Sequence, residues 1–366
     1  MKGQWIGRTT GDQIGQIIIN IDDRGTHYSG VAFTTPDDNK FPTSACFFNT
    51  KDKHPDFNLT AFLRPIDPRT GLESRWAEIQ HLYPGTSHSN QAEISGQFNE
   101  NHLIFHCKTD LGIRIESQIT RKPFSIVSDV PGTRKSWNEY KQHVATLSAS
   151  EYFFRGQAKP WKLRTAFHRR GRYNLSRFIT EDIPKLHQRL TAKTKHVFNL
   201  DIPRENGAFF NLAQHHGYPT PLLDWTLSPY VAAFFAFRNV LKNASGNDVV
   251  RIFIFDQEKW KSNFNQLVML NVAGLHLSIL DFLAIDNERL IPQQAATTVT
   301  NIDDIESYIA SREQEKNCYY LSAIDIPIVE RNKAMRELSY MGITAGSMFP
   351  GLDGACEELR EKLFDE

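Results

Sequence analysis

Arg155 stands in the stretch "EYFFRGQAKPWKLRTAFHRRG", between a pair of phenylalanines and Gly156. It follows a strand-like "EYFF", so its guanidinium can project from a strand end, where the planar fork matches phosphate or carboxylate oxygens two at a time. Gly156 lets the backbone turn and permits close approach of another group. Two readings stand for Arg155 alone. It binds an anionic ligand such as a dinucleotide or a nucleic-acid backbone, or it ties two elements together by bonding backbone carbonyls.

The second chemical constellation is "FFNLAQHHGYPTPLLDWTLSPYVAAFFAF", from Phe209 to Phe237. "FNLAQHH" reads as a helix that Gly217 stops, with a proline two residues later. "PTPLLDWT" reads as a rigid, proline-fixed connection, and Thr226 or Ser228 can cap the next apolar helix, with Pro229 as its first residue. Asp224 is a carboxylate in apolar company, where desolvation raises its pKa unless a cation or amide donors compensate. It is either a polarising partner of Arg155 or a cap for the helix starting near Ser228. Gln214, His215 and His216 end the first helix, so the adjacent histidines point in different directions. A cationic histidine at a helix C-terminus is stabilising in itself, and His215 is a candidate for substrate contact.

No H-E-x-x-H pattern and no second pair of ligands at metal-like spacing accompany the histidines, so no metal is expected. Lys162, Arg164, His168, Arg169, Arg170 and Arg172 make the densest basic run, suited to phosphate or to a solvated face. The chain as a whole has 42 basic and 42 acidic residues, so it carries no global footprint for nucleic acid or an anionic membrane. Its four cysteines, Cys46, Cys107, Cys318 and Cys356, form no C-x-x-C pair and read as neutral buried thiols of a reducing compartment. No apolar run approaches the roughly 20 residues of a membrane span, and the first residues lack a signal-peptide core. A cytoplasmic, membrane-free protein is the expectation.

The elements that must position these residues come in two grammars. From Met1 to about Pro123, short alternating runs are bounded by glycine, asparagine and aspartate, with hairpins expected at "DDRG" and "FNENH". Residues 1–130 therefore predict a small all-β barrel or sandwich with Trp5, Ile19, Ile21, Phe33, Phe98, Ile104 and Phe105 in its core. An inserted connection with a short helix is expected at "LESRWAEIQHLYP". Residues 131–366 mix helices, beginning with the serine-capped "SWNEYKQHVATL", with strands at "YFFRG", "VVRIFIFD" and "CYYLSAIDI", the pattern of an α+β domain.

"FFRGQ", followed after a helical spacer by "LAQHHGYPTPLLDWTLSPYVAAFFAF", resembles the FRG domain, a family named for its phenylalanine-arginine-glycine motif. The resemblance runs from Trp137 to about Thr300. Pro221 stands where the family commonly has an arginine before the paired leucines, which removes one basic contact. A third family feature is matched in "NERLIPQQAATTV" through Arg289, Gln293 and Gln294, without its glycine and aromatic residue. The order of parts is similar to the ADP-ribosyltransferase superfamily.

That likeness implies NAD as substrate, bound by Arg155, Gly156, Gln157, His215, Trp225 and Thr226. It implies Arg155, Asp224, Glu288 and Gln294 as the catalytic set, with Gln293 a variant of the last role. A glutamine can hold the ribose hydroxyl but cannot supply negative charge, so Asp224 or Glu288 would supply it. The implied activity is a nucleotide-dependent transferase with a protein or nucleic-acid acceptor, a toxin or defence effector whose β-domain is a sensor or target-binding module. The alternative is a module that binds a phosphate ligand or nucleic acid without chemistry.

Overall fold

The computed structural model describes residues 1–364 except 239, 241–247, 268, 271, 281–284 and 286. Strands β1 (Gly3–Gly11), β2 (Gly15–Asp23), β3 (Tyr28–Pro36), β4 (Ser44–Asn49), β5 (Asp56–Pro65), β6 (Gln91–Phe98), β7 (His102–Thr109) and β8 (Arg114–Thr120) follow one another around a closed antiparallel barrel. β8 closes it by pairing with β1. The period of two along each strand decides what lies inside. Trp5, Ile17, Ile19, Ile21, Ala32, Leu103 and Phe105 fill the interior, with Phe98 packed against them.

Two expected core residues lie elsewhere. Leu103 and Phe105 both point inward, so the same alternation turns Ile104 out of the core. Phe33 is buried in a separate cluster with Val31, Ala45 and Ile66, on the outer face opposite Ala32. Hairpins form at both expected turns, joining β2 to β3 and β6 to β7. The insertion between β5 and β6 contains one short helix, Trp76–Ile79, and a single following 3-10 turn. Cys46 and Cys107 are barrel thiols that burial pushes up to about 12 and about 11, whereas Cys356 is exposed, contrary to the expectation of uniformly buried thiols.

The second sheet has β9 (Gly132–Arg134), β10 (Tyr152–Gln157), β11 (Leu222–Thr226), β12 (Val249–Asp256), β13 (Leu277–Leu280), β14 (Ala295–Thr300) and β15 (Leu321–Pro327). Their order is β13-β14-β11-β10-β12-β15-β9, antiparallel throughout except for the β15–β9 pair. On one face pack the helices Trp137–Val144, Pro229–Arg238 and Arg331–Tyr340. The first begins with a capping box between Ser136 and Glu139. The second is apolar almost all round because it is enclosed on all sides. On the other face, Trp260, Ile305 and Ile309 come from the helices Gln257–Asn263 and Ile305–Lys316. The helix Pro203–His215 packs on the β11–β14 side through Phe209, Phe210 and Leu212.

The expected proline-fixed connection is corrected here. Leu222–Thr226 is an interior strand, hydrogen-bonded between β14 and β10, and the prolines at 219 and 221 only deliver the chain to it. Five residues are too few to show a period, which is why the prolines dominate the sequence signal.

The barrel is docked to this sheet domain by buried polar contacts. Asp22, fully buried, accepts from the backbone N–H of Tyr173 at 2.6 Å and of Asn174 at 3.2 Å, and pairs with Arg172 and Arg177. Gln4 donates to the carbonyl of Asn301 and accepts from the N–H of Asp303. No helix among the described residues is long and apolar enough to cross a membrane.

Candidate functional site

β10 and β11 share one backbone pair, Phe154 with Thr226, and then part. β10 stays paired with β12 out to Gln157, and β11 with β14 out to Leu222, so the sheet forks where Arg155 and Asp224 stand. A cavity of about 930 Å³ opens at this fork. Its wall is completed by the helix Pro203–His215, whose Asn211, Gln214 and His215 share a face at i, i+3 and i+4, and by residues 287–295.

Arg155 spans the fork. Its Nη1 donates to the backbone carbonyl of Asp224, while its Nε is buried without a protein partner. The carbonyl-bonding reading of this residue is therefore seen directly. Burial lowers its pKa to about 10 against the pull of Asp224, so it keeps its charge at neutral pH.

The Asp224 side chain is crowded by protein yet open to the water of the cavity. Desolvation raises its carboxyl above the usual range, opposed by the Arg155 guanidinium, a hydrogen bond from Gln214 and the charge of Arg169. Gln214 is held at both ends: its Nε2 donates to Asp224 Oδ1, and Thr220 Oγ1 donates to its Oε1. Asp224 caps no helix; the Val231 N–H donates to Ser228 Oγ at the start of Pro229–Arg238 instead.

Lys162, Arg164, Arg169 and Arg289 also line the wall. Arg169 donates to the carbonyl of Arg164, and burial lowers its pKa while Asp224 raises it. Arg289 lies over the Phe349 ring, 5.0 Å from its centroid. His215 is lowered to about 4 by burial and by Arg289, so it is neutral at pH 7.

Much of the basic run, including the wall residues Lys162 and Arg164, is paired with carboxylates and is neither a free phosphate strip nor simply a solvated face. Lys162 pairs with Asp129 and Asp304, Arg164 with Asp303, and Arg172 with Asp22 and Asp182. His168 is buried, its Nδ1 2.7 Å from Thr165 Oγ1, and burial lowers its pKa to about 3. Arg169 is the member of the run with the clearest place beside Asp224.

Gly156 and Gln157 line the cavity, but the need for glycine at 156 comes from packing. A Cβ there would meet the carbonyl oxygen of Ala232 at 1.8 Å, so the helix Pro229–Arg238 lies directly on β10. Thr226 Oγ1 donates to the carbonyl of Gln293 at 2.7 Å and pins the rim segment. The Trp225 ring leaves the cleft for the opposite core, stacking on Phe255, with its Nε1 donating to Thr298 Oγ1. Strand alternation separates it from Asp224, so its ring is no stacking platform for a ligand.

Glu288 and Gln294 are exposed and stand outside the described cavity wall. Gln294, at φ +45°, serves the turn into β14, and its carbonyl accepts from the Leu227 N–H. Gln293 does reach the wall, with its Nε2 donating to the carbonyl of Met348. Sequence reasoning missed Phe124, Trp161, Phe235 and Phe349, which give the cavity its aromatic surfaces. They are scattered over more than half of the chain and share no local pattern.

Among the described residues no group of three or more His, Cys, Asp and Glu side chains gathers as a metal site would. The profile of the FRG domain family matches residues 150–245. Comparison with curated proteins and with solved structures gave no match. The matched stretch contains β10, the helix Pro203–His215 and β11, so the region identified as an FRG domain is the one that carries Arg155 and Asp224 at the fork.

Proposed function

We propose that the cleft binds a nucleotide and transfers its ribosyl group, with NAD as the candidate substrate. The observation that carries this reading is the fork itself: Arg155, with an uncommitted Nε, beside Asp224, the sole carboxylate among the described wall residues. Arg155, Arg169 and Arg289 suit phosphate oxygens, and the exposed Trp161 and Phe124 rings suit a base.

Breaking the C1′–N bond sends its electron pair to the departing nicotinamide and leaves positive charge on the ribose, which a nearby carboxylate stabilises. The acceptor, a protein or nucleic-acid nucleophile, forms the new bond to C1′ and gives up its proton. Asp224 is the group to take it, since a carboxyl with a raised pKa is a better base than an ordinary one. Glu288 and Gln294 have no part in this reading.

Incubation with NAD and cell extract tests it. Nicotinamide release that Asp224→Asn lowers about a hundredfold, with binding kept, supports the transferase. A second reading, binding without chemistry, is favoured by the two guanidiniums that lower the Asp224 carboxyl and share its charge. It predicts a nucleotide affinity that falls steeply with salt and no nicotinamide release.

A further inference from the structure

An eight-stranded barrel has an interior that side chains just fill or that holds one small ligand. Here the filling is incomplete. A cavity of about 100 Å³ lies inside, walled by apolar side chains that include Ile17, Ile19, Leu103 and Phe105. No residue lines both this cavity and the fork cleft.

The lining changes character along the barrel axis. Gln13, Thr34, Ser44, Ser89 and Thr109 lie at the end where β1 passes to β2, β3 to β4, β5 to β6 and β7 to β8. The insertion of residues 66–90 sits at that same end. Two polar atoms there are buried with no protein partner, Nδ1 of His88 and Oγ of Ser89, and Ser89 is only 6% exposed. A buried donor or acceptor left unpaired is unfavourable, and a ligand that satisfies it is favoured. The His88 ring cannot easily turn away, because it stacks on Trp76 at 5.7 Å and its Nε2 lies 2.9 Å from Ser44 Oγ. No Lys, Arg, Asp or Glu side chain is among the described residues that line the cavity.

We propose that the barrel lumen is a second ligand site for a small uncharged molecule with an apolar body and one hydroxyl or carbonyl group. The body lies among Ile17, Ile19, Leu103 and Phe105, and the polar group bonds His88 Nδ1 and Ser89 Oγ. Burial lowers His88 to about 4, so at neutral pH its ring is uncharged and suits a neutral partner. The volume is about two thirds of that of engineered core cavities of roughly 150 Å³ that hold benzene, which sets about six carbon atoms as the upper limit for the body.

The test uses the full chain with methyl-labelled isoleucine and leucine, and benzyl alcohol, 1-hexanol, toluene and hexanoate as probes. The expected result is saturable movement of the Ile17, Ile19 and Leu103 methyl signals by both alcohols, with toluene about fivefold weaker for want of the hydrogen bond. Hexanoate at pH 7 leaves them in place. The paired substitution Ser89→Ala, His88→Leu brings benzyl alcohol down to the affinity of toluene. Ala32→Phe, placed inside the lumen, blocks every probe; should it fail to fold, Ser89→Ala alone still weakens both alcohols. Lumen signals that no alcohol moves, or alcohol binding that the Ser89 and His88 substitutions leave unchanged, would overturn the proposal.

Discussion

Arg155 holds the Asp224 carbonyl with one arm of its fork and keeps its Nε free of protein partners, so one side chain braces the cleft and retains a donor that the protein does not use. Lysine keeps the charge but not the planar fork. Arg155→Lys should therefore weaken nucleotide binding about tenfold or more, the worth of a charge-assisted hydrogen bond, and titration calorimetry reads the loss. Asp224 makes a prediction of opposite kind. Its carboxyl is raised in the folded state, mainly by desolvation, so the stability it contributes is present below the ordinary carboxylate range and is lost as pH rises through the folded value. Asp224→Asn escapes that loss. The variant should melt above the parent at pH 7, with the gap closing as pH falls below about 3, where the carboxyl is protonated in both the folded and the unfolded parent. A variant that melts lower at every pH would assign Asp224 a purely structural role.

The fork between β10 and β11 belongs to the scale of elements, and beside it Gly156 lets the helix Pro229–Arg238 lie on β10. Gly156→Ala drives a Cβ into a backbone carbonyl that no rotamer change can move. It should cost about 3 kcal/mol in urea unfolding and shift the Arg155 side chain as well. Much of this architecture was legible in the sequence. Barrel strands such as β6 and β8 alternate, the serine cap at 136 marks its helix, and the glycine at 217 ends another. The LLDWT strand was not legible, because two nearby prolines outweighed a five-residue run whose partners β14 and β10 are distant in sequence. The face of each residue followed from that error: with a strand at 222–226, Asp224 and Trp225 must diverge, and the tryptophan goes to the core. Gln294 misled for a related reason, since its place in the motif reflects a backbone turn and not a side chain in the cleft. The aromatic wall of the cleft is assembled wholly by tertiary packing and has no sequence signal of its own.

Across the whole molecule, the barrel and the sheet domain meet through Asp22, which binds two backbone N–H groups and pairs with two arginines without contact with water. Removing one side of such a network leaves the other buried and unpaired. Asp22→Ala should cost about 3 kcal/mol and, in calorimetry, separate the melting of the barrel from that of the sheet domain. The same contact fixes the segment 172–177, which follows the Arg169 turn, so the barrel braces one wall of the cleft. The central claim is that this cleft takes a nucleotide through Arg155. Titration calorimetry of NAD and ADP-ribose into the full chain and into Arg155→Ala tests it most directly. The account predicts saturable binding to the parent protein and a loss of at least about tenfold in a variant that still melts cooperatively. Binding that Arg155→Ala leaves intact, or no binding of either nucleotide to the parent, would contradict it.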